Sequence, residues 1–202
     1  MIIKKAAMFG LDARIALAIF GALSVISGAA LYSAIQDARV TSIIAELNEY
    51  GKAYEQFLLD TGTEPAMTPF HMHAKELVES TKAGWQGPYF DYTAVPNDIV
   101  VTVSNSLLGG NISLVYEKLA DKTWNSDNNW DVEHCAGSTG EDCYMWVRFE
   151  FSDKYLETVK QLDLKIDGTA GRNEGNFRYI HFTTPKAVSI FYKYSVAMNQ
   201  SY

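Results

Sequence analysis

The sequence predicts an α+β fold, a long N-terminal helix packed on an antiparallel β-sheet head. Three observations predict it. No charge occurs from Ile15 to Ile35. Apolar residues then recur at helical spacing from Val40 to Phe57. Further on, short alternating segments rich in β-branched and aromatic residues are separated by glycine-bearing turns.

The uncharged segment is 21 residues long. At about 1.5 Å per residue it spans roughly 31 Å, one bilayer core. Ser27-Gly-Ala-Ala30 has the small residues of a signal cleavage site, but the apolar run continues through Leu31, Tyr32 and Ile35. A membrane anchor therefore fits better than a cleaved secretory signal. A buried core helix would rarely avoid charge for so long. Lys4, Lys5 and Arg14 precede the segment and Asp37 follows it. The basic end should face the cytoplasm and the rest should lie outside. Gly21, Ser24 and Gly28 fall on one helical face, with Ala18/Ala22 and Ala30/Ala34 as further small pairs. Such residues let helices approach closely in lipid, although they are also common in any transmembrane helix.

Past Asp37 the helical period continues. Val40, Ile43, Leu47, Tyr50, Tyr54 and Phe57 form one narrow stripe, with Arg39, Glu46, Glu49, Lys52 and Glu55 off it. Too few heptads are present for a coiled coil, so the stripe is expected to pack on a head. Gly62 followed by Pro65 is the expected stop. The expected organisation is a leader at 1–10, a helix at 11–62 with 15–35 transmembrane, and a head at 63–202.

The head is long enough for one domain with its own core. A short helix is expected within His73–Ser80. Strands are expected at Asp98–Ser104, Asn111–Glu117, Tyr144–Phe151, Asn176–Phe182 and Ala187–Val196, with Gly109-Gly110 as a hairpin turn. In Val147-Arg-Phe-Glu-Phe151 the alternation places Arg148 and Glu150 on a wet face. A second helix is expected at Asp153–Leu164, capped by Ser152 or Asp153.

The chain has two cysteines, Cys135 and Cys143. Outside the cytoplasm they should form a disulfide that closes the loop Ala136–Asp142. Metal ligation by this pair has no Cys-x-x-Cys spacing and no histidine cluster beyond His134 to support it. Just upstream, Asp121, Asn125, Asp127, Asn129, Asp131 and Glu133 offer hard oxygen ligands of the kind a Ca2+ loop supplies. Trp130 at the glycine position excludes an EF-hand, and a solvated acidic loop is the plain alternative. Asp163 and Asp167, with Asn173 and Glu174, form a weaker group that a capped turn explains equally well. His71 and His73 share a strand face without an obvious third ligand. Trp124 and Trp130, flanked by asparagines, suggest an exposed sugar- or partner-binding surface. No nucleophile elbow, Walker loop or dinucleotide fingerprint occurs, so no enzyme is expected. The formal charge of −7 becomes −9 once Lys4 and Lys5 are removed with residues 1–10. An acidic head argues against direct nucleic-acid binding.

The basic segment ending in Gly10, the apolar helix that becomes amphipathic, and Gly84-Trp-Gln-Gly-Pro-Tyr89 together resemble type IV pilins. The similarity is closest to the pseudopilins of type II secretion systems. Leu162-Asp-Leu-Lys-Ile-Asp-Gly168 with Gly175-Asn-Phe-Arg-Tyr179 also resembles a late pattern in pilin-like proteins. The resemblance implies cleavage between Gly10 and Leu11 by a prepilin peptidase, and methylation of the new N-terminus. It also implies storage in a bacterial inner membrane with a periplasmic head. Assembly into a filament with copies of itself and other pilin-like subunits would follow, driven by an ATPase and a platform protein. Calcium in an acidic loop of the head is also in keeping with the family. Two positions depart from the pattern. Leu11 stands where the mature chain usually begins with phenylalanine, and Ile15 where the family has a glutamate. Asp12 is the nearby carboxylate and Arg14 adjoins the missing position, so Asp12, Arg14, Gly21, Ser24 and Gly28 are the expected assembly residues. Subunits at a filament tip can lack the glutamate. The alternative is a permanently anchored periplasmic binding module, with or without calcium dependence, that never polymerises.

Overall fold

The computed structural model describes residues 3–69, 71–105, 107–124, 132, 134–135, 142–169 and 171–198, with backbone alone at 3–9 and 11. The chain falls into two units, Met1–Thr41 and Ser42–Tyr202. The helix α1 (Ile3–Thr61) belongs to both. It starts earlier than expected because nothing in residues 3–9 breaks a helix.

In the second unit the outer half of α1 is a core element. Ile43, Leu47, Tyr50, Tyr54 and Phe57 are all buried, as is Val40 at the end of the first unit, so the expected stripe is the observed one. The helix ends at Gly62, whose φ of 69° suits glycine and whose N–H reaches the Leu58 carbonyl at 2.8 Å.

Among the described residues the sheet has seven strands: β1 (Met67–Thr68), β2 (His71–Met72), β3 (Val101–Asn105), β4 (Gly110–Ala120), β5 (Cys143–Ser152), β6 (Phe177–Thr183) and β7 (Lys186–Val196). Every pairing is antiparallel, in the order β1-β2-β4-β5-β7-β6, with β3 also on β4. The Gly109-Gly110 hairpin joins β3 to β4 as expected, with Asn105 opposite Gly110. This is the α+β architecture that the sequence predicts.

One sheet face meets the outer half of α1. The Tyr116 hydroxyl donates to the Tyr50 carbonyl at 2.8 Å, Phe149 packs edge-on to Tyr50, and the Tyr192 hydroxyl donates to Asn48 Oδ1 at 3.0 Å. On the other face a second apolar cluster gathers Leu119, Trp124, Val132, Trp146, Ile180 and Phe191. Arg148 lies on that face and is not wet: its side chain is 13% exposed and its guanidinium is 3.2 Å from Glu117. Alternation marks which residues share a face. It does not reveal that the polar face is covered too.

Several elements differ in extent: β3 begins at Val101 rather than Asp98, and β4 runs on to Ala120 rather than stopping at Glu117. The helix expected at 73–80 is a single 3-10 turn, Ala74–Leu77. The Trp85 indole N–H takes the Glu76 carbonyl at 2.8 Å and the Tyr89 N–H takes that of Leu77 at 3.0 Å, so the acceptors a longer helix would need are used elsewhere. The second helix begins as a 3-10 turn, Asp153–Tyr155, capped by Ser152, and continues as α2 (Leu156–Asp167) to a left-handed Gly168.

Two devices fasten the end of α1 to the rest of the head. Glu64 accepts from the Tyr54 hydroxyl at 2.8 Å, the Met198 N–H at 2.8 Å and the Lys118 ammonium at 3.1 Å. Lys118 is 1% exposed, so this ion pair is buried. Burial and the Glu64 charge push the Tyr54 hydroxyl pKa up. The second device is the Gly84–Tyr89 segment. Tyr89 donates to Asp60 at 2.8 Å and packs edge-on to Phe57. Gly84 has a φ of 85°, and a Cβ there would overlap the Asp60 carbonyl oxygen.

Gly84→Ala should therefore lower the stability of the head by at least about 2 kcal/mol, through left-handed strain plus overlap with backbone. Lys118→Met should cost about 3–5 kcal/mol, because it strands the Glu64 charge. Thermal unfolding of the detergent-solubilised protein, followed by near-UV circular dichroism, checks both. Wild-type melting in either variant would remove the role given to that device.

Candidate functional site

In the first unit the helix presents apolar side chains on every side. Leu17, Phe20, Leu23, Val25, Ile26, Leu31 and Tyr32 are each more than half exposed, and Ile15 is 50% exposed. The helix is long and apolar enough to cross a membrane. An apolar surface this extensive is unstable in water and calls for lipid or other apolar helices.

The expected assembly residues lie on this helix. Gly10, Asp12 and Arg14 are exposed. The side chain of Leu11 is outside the described residues. At Gly21 and Gly28 a Cβ would meet no atom within 4 Å, so space within the chain does not require glycine there. The Ser24 hydroxyl donates to the Phe20 carbonyl at 2.8 Å. That internal bond satisfies it without water, as lipid or a tight helix contact demands.

In the head, Asp121 has a role other than the expected one. Its Oδ1 is 2.8 Å from the Arg178 guanidinium and its Oδ2 is 2.8 Å from the Lys193 ammonium. Both oxygens face cations. Asn125, Asp127, Asn129 and Asp131 lie outside the described residues. Among the described residues no group of three His, Cys, Asp or Glu side chains gathers as a metal site.

Arg178 is the centre of this face. Its guanidinium lies 5.2 Å from the Trp124 ring centre and 4.8 Å from that of Trp146, while Lys193 lies 4.9 Å from Tyr144. Burial lowers the Arg178 pKa, and Asp121 opposes that fall. Cation–π contacts of this kind contribute most when desolvated. Trp124 is 3% exposed, which corrects the expectation of an exposed binding surface there. Trp130 is outside the described residues.

The two histidines go to different partners. His71 Nε2 is 3.2 Å from Glu117, and His73 Nε2 is 2.8 Å from the Thr68 hydroxyl.

The cysteines are bonded as expected, Cys135 to Cys143, with Cα atoms 5.9 Å apart. Both are buried, beside Ala120 and Ala197. The Ala197 N–H reaches the Cys143 carbonyl at 2.9 Å, and His134 bridges to Leu119. The bond thus ties Cys135 to the start of β5, beside β4 and the chain after β7.

A long apolar N-terminal helix, an antiparallel sheet and a disulfide fit a pilin-like architecture. Comparison with protein-family models, curated proteins and solved structures gives no match to this chain.

Reducing the disulfide should cost the head about 2.5 kcal/mol, from the entropy of the short loop it closes. Unfolding by urea with and without reductant measures the difference. Equal midpoints would mean that the strand contacts alone hold this segment.

Proposed function

We propose that this chain is a pilin-like structural subunit of a type IV pilus-like or type II secretion pseudopilus filament. A prepilin peptidase cuts it between Gly10 and Leu11. Residues 15–35 then hold it in a bacterial inner membrane, with the head in the periplasm. One observation carries the reading. The same helix α1 offers an apolar surface with no cover in its first unit and forms part of a head core in its second. A helix built this way exchanges lipid for neighbouring copies without refolding the head.

Assembly is then a replacement of solvent. The apolar residues of 15–35 leave lipid and bury against the same residues of adjacent subunits. Small residues at Gly21, Ser24 and Gly28 set how closely the backbones approach. Asp12 supplies the only carboxylate near the new N-terminus, since Ile15 carries none. A subunit at the filament tip has no need of that carboxylate. The chain performs no catalysis in this reading, and the ATPase and platform protein supply the work.

The anchored binding module that never polymerises shares the fold and differs in processing. The intact mass of the protein from its own membranes separates the two. Loss of residues 1–10, with or without a methyl group on Leu11, is the expected result. A mass that retains Met1 or Ile2 would contradict processing and favour the plain anchor. A second expectation concerns the helix face. Gly21→Leu with Gly28→Leu should reduce filament yield at least about tenfold, since close approach is lost, while head melting stays unchanged. Wild-type filament yield would exclude that face from assembly.

A further inference from the structure

A cavity of about 470 Å³ opens in the second unit, between α1, the segment 89–93 and β3. That is the size of a small-ligand site. Glu46, Glu49 and Tyr50 reach it together, because spacings of three and four share one helical face. Asp91 adds a third carboxylate, and no lysine or arginine lines the cavity among the described residues. The rings of Tyr89, Phe90 and Tyr92 join that of Tyr50 in the wall.

These rings are held in place. Tyr89 donates to Asp60 at 2.8 Å and Tyr92 to Glu79 at 3.1 Å. Phe90 packs edge-on to Tyr50, with centres 5.1 Å apart.

The acceptors are not used up. Tyr50 is 8% exposed, yet its hydroxyl has no hydrogen-bond partner among the described residues. A polar group buried in that state is costly. Asp91 makes no hydrogen bond or ion pair among them. Glu46 accepts from the Asn105 amide through Oε2, which leaves Oε1 without a donor. Glu49 alone has a cation, the exposed Lys52 at 2.7 Å. Burial, and then the Glu46 and Asp91 charges, push the Tyr50 hydroxyl up to about 12, so both acids bear on this one hydroxyl.

We propose that this cavity binds a guanidinium group, carried by a small molecule or by an arginine side chain of another protein.

The lining selects that chemistry. The carboxylates favour a cation, but among the described residues no three acids gather as a metal site. A guanidinium brings several N–H donors in one plane, for Glu46 Oε1, Asp91 and the Tyr50 oxygen, and its flat face stacks on aromatic rings. A quaternary ammonium would suit the rings and leave the acceptors unpaired. A second cavity, beside the 3-10 turn Ala74–Leu77, makes no such demand. Its lysines already have carboxylates, Lys82 with Glu76 at 2.8 Å and Lys75 with Asp98 at 3.4 Å.

Ligand-observed NMR titration of the full-length protein in uncharged detergent tests the site. The probes are agmatine and the peptide acetyl-Gly-Arg-Gly-amide. At least one should bind with a Kd below about 5 mM at low salt. Agmatine alone would indicate a small-molecule source, the peptide alone a protein source, and both a site that reads the guanidinium itself. Asp91→Asn, at an exposed position, should weaken binding at least about threefold, and adding Tyr50→Phe should bring the loss to about tenfold. Melting should stay at the wild-type value, since neither side chain has a hydrogen bond to lose. No binding of either probe, or wild-type affinity in Asp91→Asn, would overturn the proposal. So would equal binding of tetramethylammonium, or of the same peptide with citrulline in place of arginine.

Discussion

One helix has to satisfy two surroundings, and the rest of the structure follows from that. From residue 15 to 35 every face of α1 is apolar and exposed. From Ile43 to Phe57 only one stripe is apolar, and it is buried. No proline interrupts α1, which contributes to both units. In the second unit the head is held at the C-terminal end of the helix. The Glu64 cluster and the Gly84–Tyr89 segment both act within a few residues of Thr61.

Those fastenings are polar, which suits a helix that already spends its apolar residues elsewhere. Glu64 gathers a tyrosine, a lysine and a backbone amide, each from a different part of the head. Burying such a pair is worth little against an apolar replacement, but losing one partner is severe. The same logic recurs on the far face, where Asp121 joins Arg178 to Lys193 and aromatic rings cover both cations.

The legible parts of the sequence were those governed by period. The α1 stripe, the presence of the long strands and the Gly62 stop follow from apolar spacing and from backbone conformations that favour glycine. The two-residue strands β1 and β2 have no period to read. Lys118, Arg148 and Arg178 look like surface residues, because their partners are far away in the chain. Lys118 and Glu64 are 54 residues apart, and Arg178 and Asp121 are 57 apart. Asp121 reads as one of a run of neighbouring acids for the same reason. Local spacing suggests a cation loop, whereas β6 and β7 bring the cations that it meets. The disulfide is legible because it is local, and the exposed apolar half of α1 because it forms a long uncharged run in the sequence.

The most direct test follows cysteines placed singly from residue 15 to 35, spin-labelled, with oxygen accessibility measured by electron paramagnetic resonance. With the protein held in membranes alone, the account predicts high accessibility at every position, without a helical period. In assembled filaments from cells that carry the machinery, accessibility should fall throughout and most at positions 21, 24 and 28. A 3.6-residue period of protection already present in the membrane, or identical profiles in both states, would contradict the claim that this helix exchanges lipid for its neighbours.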